Sequence, residues 1–400
     1  MPLNFLKRNF LSPLLEFIYD SRAIGIILII NTVLSLLISN SAWGINYISL
    51  WNYEFQLPPQ LPHTLLHWIN DGFMAIFFFQ VGMEIKRELI SGELSSFKKS
   101  ILPIAGALGG MLVPAFIFTL FNIHTAFQNG WGIPMATDIA FSLGVASLLG
   151  KRVPFALKIF LTALAIIDDL GAIIAIAAFY TSTLNLVYLL IGILIFVFLL
   201  IWNYFKLPFG FWNFILGLLL WFCLFNSGIH ATIAGVLFAF TIPVKKLVQL
   251  ENALHNYVNF LILPVFALAN TAIMIPAGIT SYLSNPLSLG IIFGLLIGKP
   301  IGILLFCWIM IKLKLGQLAK GIHWKHMIGL GFLASIGFTM SIFISMLAFK
   351  DSFTQDISKM AVMLASLIGI ILSYVWFKIF TKETQQHSLA SFSEQENESD

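Results

Sequence analysis

The sequence predicts an all-α polytopic membrane protein with about twelve transmembrane helices, and three observations carry that expectation. Of its 400 residues, 59% are hydrophobic, 39 are Phe and only 10% are charged, which is too apolar for a water-soluble domain. The apolar residues fall in runs of about 20, the length that crosses a hydrocarbon core. Lys and Arg stand in short clusters at the ends of those runs, so their distribution, rather than the net charge of +4, reports orientation in a bilayer. It implies membrane lipid as a partner and no nucleic acid.

Candidate spans fall near residues 14–38, 66–88, 101–121, 131–149, 154–180, 184–203, 209–226, 228–243, 252–274, 287–311, 325–349 and 357–379. The seventh and eighth are separated only by Asn226, Ser227 and Gly228. No compact apolar core with a small-residue cleavage site follows Lys7 and Arg8, so the first span is expected to serve as its own insertion signal. Cys223 and Cys307 lie inside apolar runs and read as small buried hydrophobes rather than a disulfide. Threading the chain through these spans puts most of the basic residues on one side, among them Lys86, Arg87, Lys98, Lys99, Lys151, Arg152, Lys245, Lys246, Lys312 and Lys314. That side is expected to be the cytoplasm, with both termini in it. The other side keeps Lys350 and Lys359, and Lys299 lies within a span.

Residues 1–382 thus form a single transmembrane domain, and residues 383–400, rich in Ser, Gln and Glu, read as a disordered cytoplasmic tail. Residues 45–57, INYISLWNYEFQL, are aromatic and β-branched enough for a short extracytoplasmic hairpin, through which two copies could pair edge to edge as a homodimer. The alternative is an irregular loop on the membrane surface.

Four charges inside spans are singled out: Asp138, the tandem Asp168 and Asp169, and Lys299. Isolated, they would cost roughly 12 kcal/mol at about 3 kcal/mol apiece, so they are expected to meet. Three acids against one base leave surplus negative charge, the arrangement of a site that takes up cations or protons. The competing reading is a structural network in which the acids cap or bend helices. Backbone cues point to the same place. Gly130, Gly132 and Pro134 precede Thr137 and Asp138, and Gly329, Gly331 and Gly337 surround SIGFTMS. Both segments could be broken helices, and Gly/Pro-interrupted spans at corresponding places in two halves mark transporter binding sites. The halves would be inverted repeats, approximately 101–180 and 287–379.

Several runs of this sequence resemble the NhaA-type sodium/proton antiporter family. They are DGFMAIFFFQVGMEIKREL from Asp71, ATDIAFSLG from Ala136, ALKIFLTALAIIDDLGAI from Ala156, SGIHATIAG from Ser227, GLLIGKPIGI from Gly294 and SIGFTMSIF from Ser335. The resemblance runs in order from about residue 14 to 380. It implies an NhaA-like fold with two broken, crossing helices. It also implies an electrogenic exchanger in the bacterial inner membrane that extrudes sodium or lithium and admits more than one proton for each, with no cofactor. In the family, Asp169 matches the main cation ligand. Asp168 matches a residue that shares ion and proton work and can pair with the lysine at Lys299, and Asp138 and Thr137 match residues at the helix crossing. Glu84, Arg87 and Glu88, together with Glu251 and His255 in the loop after the eighth span, match a pH-response region, and His230 matches a residue affecting pH dependence. One departure concerns the loop from Ile242 to Glu251, which is short, with Asn252 where the family often has histidine; this bears on the pH set point and not on the ion site.

The chemistry of exchange follows from the residue types. Two neighbouring carboxylates in a low dielectric resist joint ionisation and titrate as a coupled unit, so sodium and protons compete for the same oxygens. A sodium-coupled symporter would also use such acids but needs a pocket for an organic substrate. An intramembrane aspartyl protease needs one Asp on each of two helices, and IIDDLG does not provide that.

Overall fold

The computed structural model describes residues 21–181, 184–319 and 321–381. Lys7, Arg8, the first residues of the initial span and the tail from 383 to 400 lie outside the described residues. The chain forms α1 (Ser21–Ser39), α2 (Gly44–Trp51), α3 (Met74–Ser91), α4 (Phe97–Asn122), α5 (Ile139–Leu148), α6 (Phe155–Phe179), α7 (Leu186–Tyr204) and α8 (Phe211–Ser227). There follow α9 (Ile233–Thr241), α10 (Val244–Tyr257), α11 (Leu263–Asn270), α12 (Pro286–Phe293), α13 (Lys299–Lys312), α14 (Trp324–Ala334), α15 (Phe338–Ala348) and α16 (Ser352–Phe380). Within the described residues every expected span lies mainly on helix. By length and composition eight of the described helical segments can cross a membrane, and the pair α14 and α15, bent by 47°, makes a ninth. The segment through α3 carries Glu84, Lys86, Arg87 and Glu88, α8 is shorter, and α9 has 9 residues.

The lipid-facing and buried elements differ as their sequences dictate. α7 is apolar on all sides and almost wholly exposed, as suits a helix whose solvent is acyl chain. α4 and α13 pack most closely. Added Cβ atoms would stand 2.1 Å from the Gly302 carbonyl oxygen at Gly109 and 2.0 Å from the Gly109 carbonyl oxygen at Gly302. Small residues let membrane helices approach where burial against lipid supplies no hydrophobic drive.

Among the described residues three spans contain a π-helical turn: Trp68–Phe73 before α3, Val258–Ile262 between α10 and α11, and Gly294–Gly298 between α12 and α13. Such single wide turns recur at functional positions. Here the first contains Asp71, the second begins three residues after His255 and the third ends next to Lys299.

Two expectations are corrected. Residues 44–51 are helix rather than the first strand of a hairpin, because their aromatic side chains repeat at helical spacing. Tyr47 and Trp51, four apart, stack edge to face at 5.7 Å, and the Tyr47 hydroxyl donates to the Leu268 carbonyl at 3.3 Å. Among the described residues β-like pairing is confined to a single antiparallel bridge, Glu54 with Thr64, so α2 offers no strand edge to a second copy. The supposed loop from Ile242 to Glu251 is also mostly helix, since α10 begins immediately after Pro243. Its sequence VKKLVQLENALHNY is amphipathic: Leu247 is buried and Leu254 half-buried, while Lys245, Lys246 and Asn252 are exposed.

Candidate functional site

The middle segment of 101–180 is broken. A tight helix from Gln128 to Met135 ends at extended residues Ala136–Asp138, and α5 begins at Ile139. Pro134 cannot donate its nitrogen to a helical bond, which favours the break. The middle segment of 287–379 is broken at Ser335–Gly337, between α14 and α15. The two breaks cross: Asp138 N–H donates to the Ile336 carbonyl at 2.8 Å, Ser142 Oγ to Leu333 at 2.8 Å and Ser341 Oγ to Ile133 at 2.8 Å. Hydroxyls and one amide thus satisfy carbonyls that the breaks release, as a lipid-shielded interior demands.

One carboxylate caps two helices. Asp138 Oδ1 accepts from Phe141 N–H at 2.9 Å, at the start of α5, while Oδ2 accepts from Thr339 N–H at 3.0 Å and from Thr339 Oγ1, at the start of α15. Negative charge therefore sits where two helix dipoles present their positive ends. At the opposite pole of the crossing, the Lys299 ammonium donates to the Met135 carbonyl, the last of the tight helix.

Asp168 and Asp169 are both buried on α6, but adjacent residues on a helix point about 100° apart, and the two acids meet different surroundings. Asp168 Oδ2 lies 3.0 Å from Lys299 Nζ and accepts from Thr137 Oγ1 at 2.8 Å. Asp169 faces a cavity of about 240 Å³ that Asp138, Thr339, Glu84, Glu251, His255 and Asn259 also line. Asp168 Oδ1 and Asp169 Oδ1 are buried with no hydrogen-bond partner. Buried charged oxygens are normally satisfied, so two left open on adjacent residues, one of them facing a cavity, are suited to a cation that comes and goes. No group of three or more His, Cys, Asp or Glu among the described residues converges as a resident metal centre.

The charged residues of the second and ninth spans gather at one end of this cavity. Arg87 contacts Glu88 Oε1 and Glu251 Oε2, both at 3.2 Å, which ties α3 to α10. His255 lies 3.1 Å from the Asn259 amide, within the same wall as Glu84. His230 is not among them. It lines a second cavity, of about 650 Å³, which collects Asn129, Tyr180 and Lys350 from span ends opposite the basic ones.

Reading the sequence missed Asp71, Thr339, Asn259 and His67. Asp71 had a signal, an acid five residues into an apolar run; Thr339 stood in a motif whose glycines drew the attention. Nothing local marked Asn259. Lys86, counted only for orientation, is buried and donates to the carbonyls of Phe240 and Ile242 at 2.7 and 2.5 Å, capping the end of α9.

The family profile described as Na+/H+ antiporter 1 matches residues 15–377. The chain is similar to a Na(+)/H(+) antiporter NhaA of Cytophaga hutchinsonii, 46% identical over 381 residues that cover 94% of this chain and 97% of the relative. It is also similar to Na(+)/H(+) antiporter NhaA 1 of Flavobacterium johnsoniae, 47% identical over 368 residues, 90% and 95% of the two chains. With Na(+)/H(+) antiporter NhaA 2 of Clostridium beijerinckii it shares 44% identity over 394 residues, 95% and 98% of the two. Near end-to-end agreement, together with two crossed broken helices around buried aspartates, has one reading: the chain belongs to the Na+/H+ antiporter 1 family.

Proposed function

We propose that this protein is an electrogenic antiporter that extrudes sodium or lithium from the cytoplasm against entry of more than one proton, in the bacterial inner membrane with both termini cytoplasmic. The observation that carries the reading is the pair of unpartnered buried oxygens on Asp168 and Asp169, with Asp169 facing a cavity. When the cytoplasm is alkaline the carboxylates release protons, and Asp169, aided by Asp168 and by oxygens of the Thr137 hydroxyl and nearby carbonyls, takes up a cation. On the other side protons displace it. Lys299 competes with the cation for Asp168 across their 3.0 Å contact. Net inward positive charge lets an inside-negative potential, worth about 2.3 kcal/mol per charge per 100 mV, drive sodium uphill and so serve sodium and pH homeostasis.

Glu84, Glu251 and His255 of the cavity wall, with Arg87 and Glu88 joined to Glu251 through ion pairs, act as the cytoplasmic pH-response region, and residues 1–382 act as one transport domain. The repeats 101–180 and 287–379 are supported by the break in the middle segment of each. A symporter of organic solutes is disfavoured because the cavity that reaches Asp169 holds about 240 Å³, below the roughly 300 Å³ at which small-molecule sites begin. Purified protein in vesicles is expected to show sodium-dependent proton movement at alkaline pH; its absence rejects antiport.

A further inference from the structure

The second cavity holds a titratable cluster that the ion site does not use. His67 Nε2 lies 2.9 Å from Asp71 Oδ2, and His230 Nδ1 lies 3.4 Å from Asp71 Oδ1. One carboxylate thus faces two imidazoles, one on each oxygen. The side chains grade inward: His67 is 44% exposed, His230 20% and Asp71 10%. The arrangement is fixed from several directions. A π-helical turn carries Asp71, Trp221 Nε1 donates to the Asp71 carbonyl at 2.9 Å, and Phe225 stands 5.5 Å from the His67 ring. The other titratable groups lining the cavity are Tyr180 and Lys350, from α6 and from beyond α15.

The geometry points to an extracytoplasmic proton-loading site made of His67, Asp71 and His230, a role that rests on the antiport reading above and extends it to the outer side. Histidine is the side chain whose charge changes between about pH 5 and 8. A single carboxylate balances one imidazolium; charging the second ring leaves net positive charge in a cavity that already has the Lys350 ammonium on its wall. Two imidazoles around one carboxylate, graded from the exposed His67 to the buried Asp71, give a proton from the outer solution a first acceptor and a second one further in. It is also in contact with the machinery. The His230 ring packs edge-on against Phe343 of α15 at 5.5 Å, and the same helix begins at Thr339 on the Asp138 carboxylate. The donors do not converge on a common point, so a resident metal is not the occupant.

The test uses full-length protein reconstituted in one orientation, with inner pH held alkaline and outer pH swept across the histidine range while sodium-dependent exchange is recorded. For both H67Q and D71N the outer proton concentration giving half-maximal exchange is expected to rise by about three- to tenfold, with the inner-pH profile left in place. If wild-type protein exchanges sodium for protons but neither outer profile moves, or inner and outer profiles move together, the loading site is refuted while antiport stands. If wild-type protein shows no exchange, the antiport reading fails and takes this one with it. Should neither variant insert, diethyl pyrocarbonate applied outside wild-type vesicles is expected to slow exchange, and full activity after modification overturns the assignment.

Discussion

Asp138→Asn separates a carboxylate that holds the fold from the one proposed to hold the ion. The side chain accepts three hydrogen bonds, one from Phe141 N–H and two from Thr339. An amide has one acceptor oxygen, and its nitrogen is a donor. Whichever way it turns, either the start of α5 or the start of α15 meets a donor where it needs an acceptor. Leaving a buried donor unpaired costs about 1–3 kcal/mol, and removing the charge from two helix starts adds about 0.3–1 kcal/mol at each. The sum is roughly 2–5 kcal/mol. The assay is the melting temperature of purified protein in mild detergent, followed by tryptophan fluorescence, with Asp169→Asn beside it. Asp169 Oδ1 has no partner, so neutralising it relieves a buried charge and is expected to leave melting unchanged or slightly higher. Equal melting of Asp138→Asn and wild type, or an equal loss in both variants, refutes the division of labour between the two acids.

Four further outcomes are expected. Asp169→Asn abolishes sodium binding measured by titration calorimetry, and retained binding rejects the assigned ligand. Lys299→Met leaves Asp168 without its 3.0 Å partner and costs about 3–5 kcal/mol; adding Asp168→Asn restores most of the lost melting temperature. Gly302→Val drives a side chain into the Gly109 carbonyl oxygen, 2.0 Å from the added Cβ, and removes the folded peak in size-exclusion chromatography. Arg87→Gln breaks the 3.2 Å contact with Glu251. Because Arg87 is about a third exposed, this costs at most about 1 kcal/mol. It nonetheless shifts the inner-pH dependence of exchange, and the shift shrinks at high salt.

The spans were legible because the bilayer permits little else: a run of about 20 apolar residues must satisfy its backbone internally. The two breaks were legible for a similarly local reason, since Pro134 and the glycines around Gly337 weaken the helix where they stand. Residues 45–57 misled because aromatic and β-branched composition favours strands in general, whereas Tyr47 and Trp51 found each other at a spacing of four. The first half of α10 was hidden by its charges, since a search for apolar runs passes over the amphipathic stretch from Val244 to Glu251. The π-helical turns left no trace in hydropathy. They insert one residue into a turn, and that register shift accompanies the placement of Asp71, His255 and Lys299. Asp71, a lone acid near a span end, gained meaning only once the fold brought His230 to it from 159 positions further along the chain.

The doubly capping aspartate has a mechanical corollary. Because a single rigid carboxyl group terminates α5 and α15 at once, neither half-helix can tilt or slide without dragging the start of its neighbour. The crossing must travel as a block. On the proposed antiport, alternating exposure of the ion is expected to come from rotation of that block against the spans bearing Glu84 and His255, with the hinges outside the crossing.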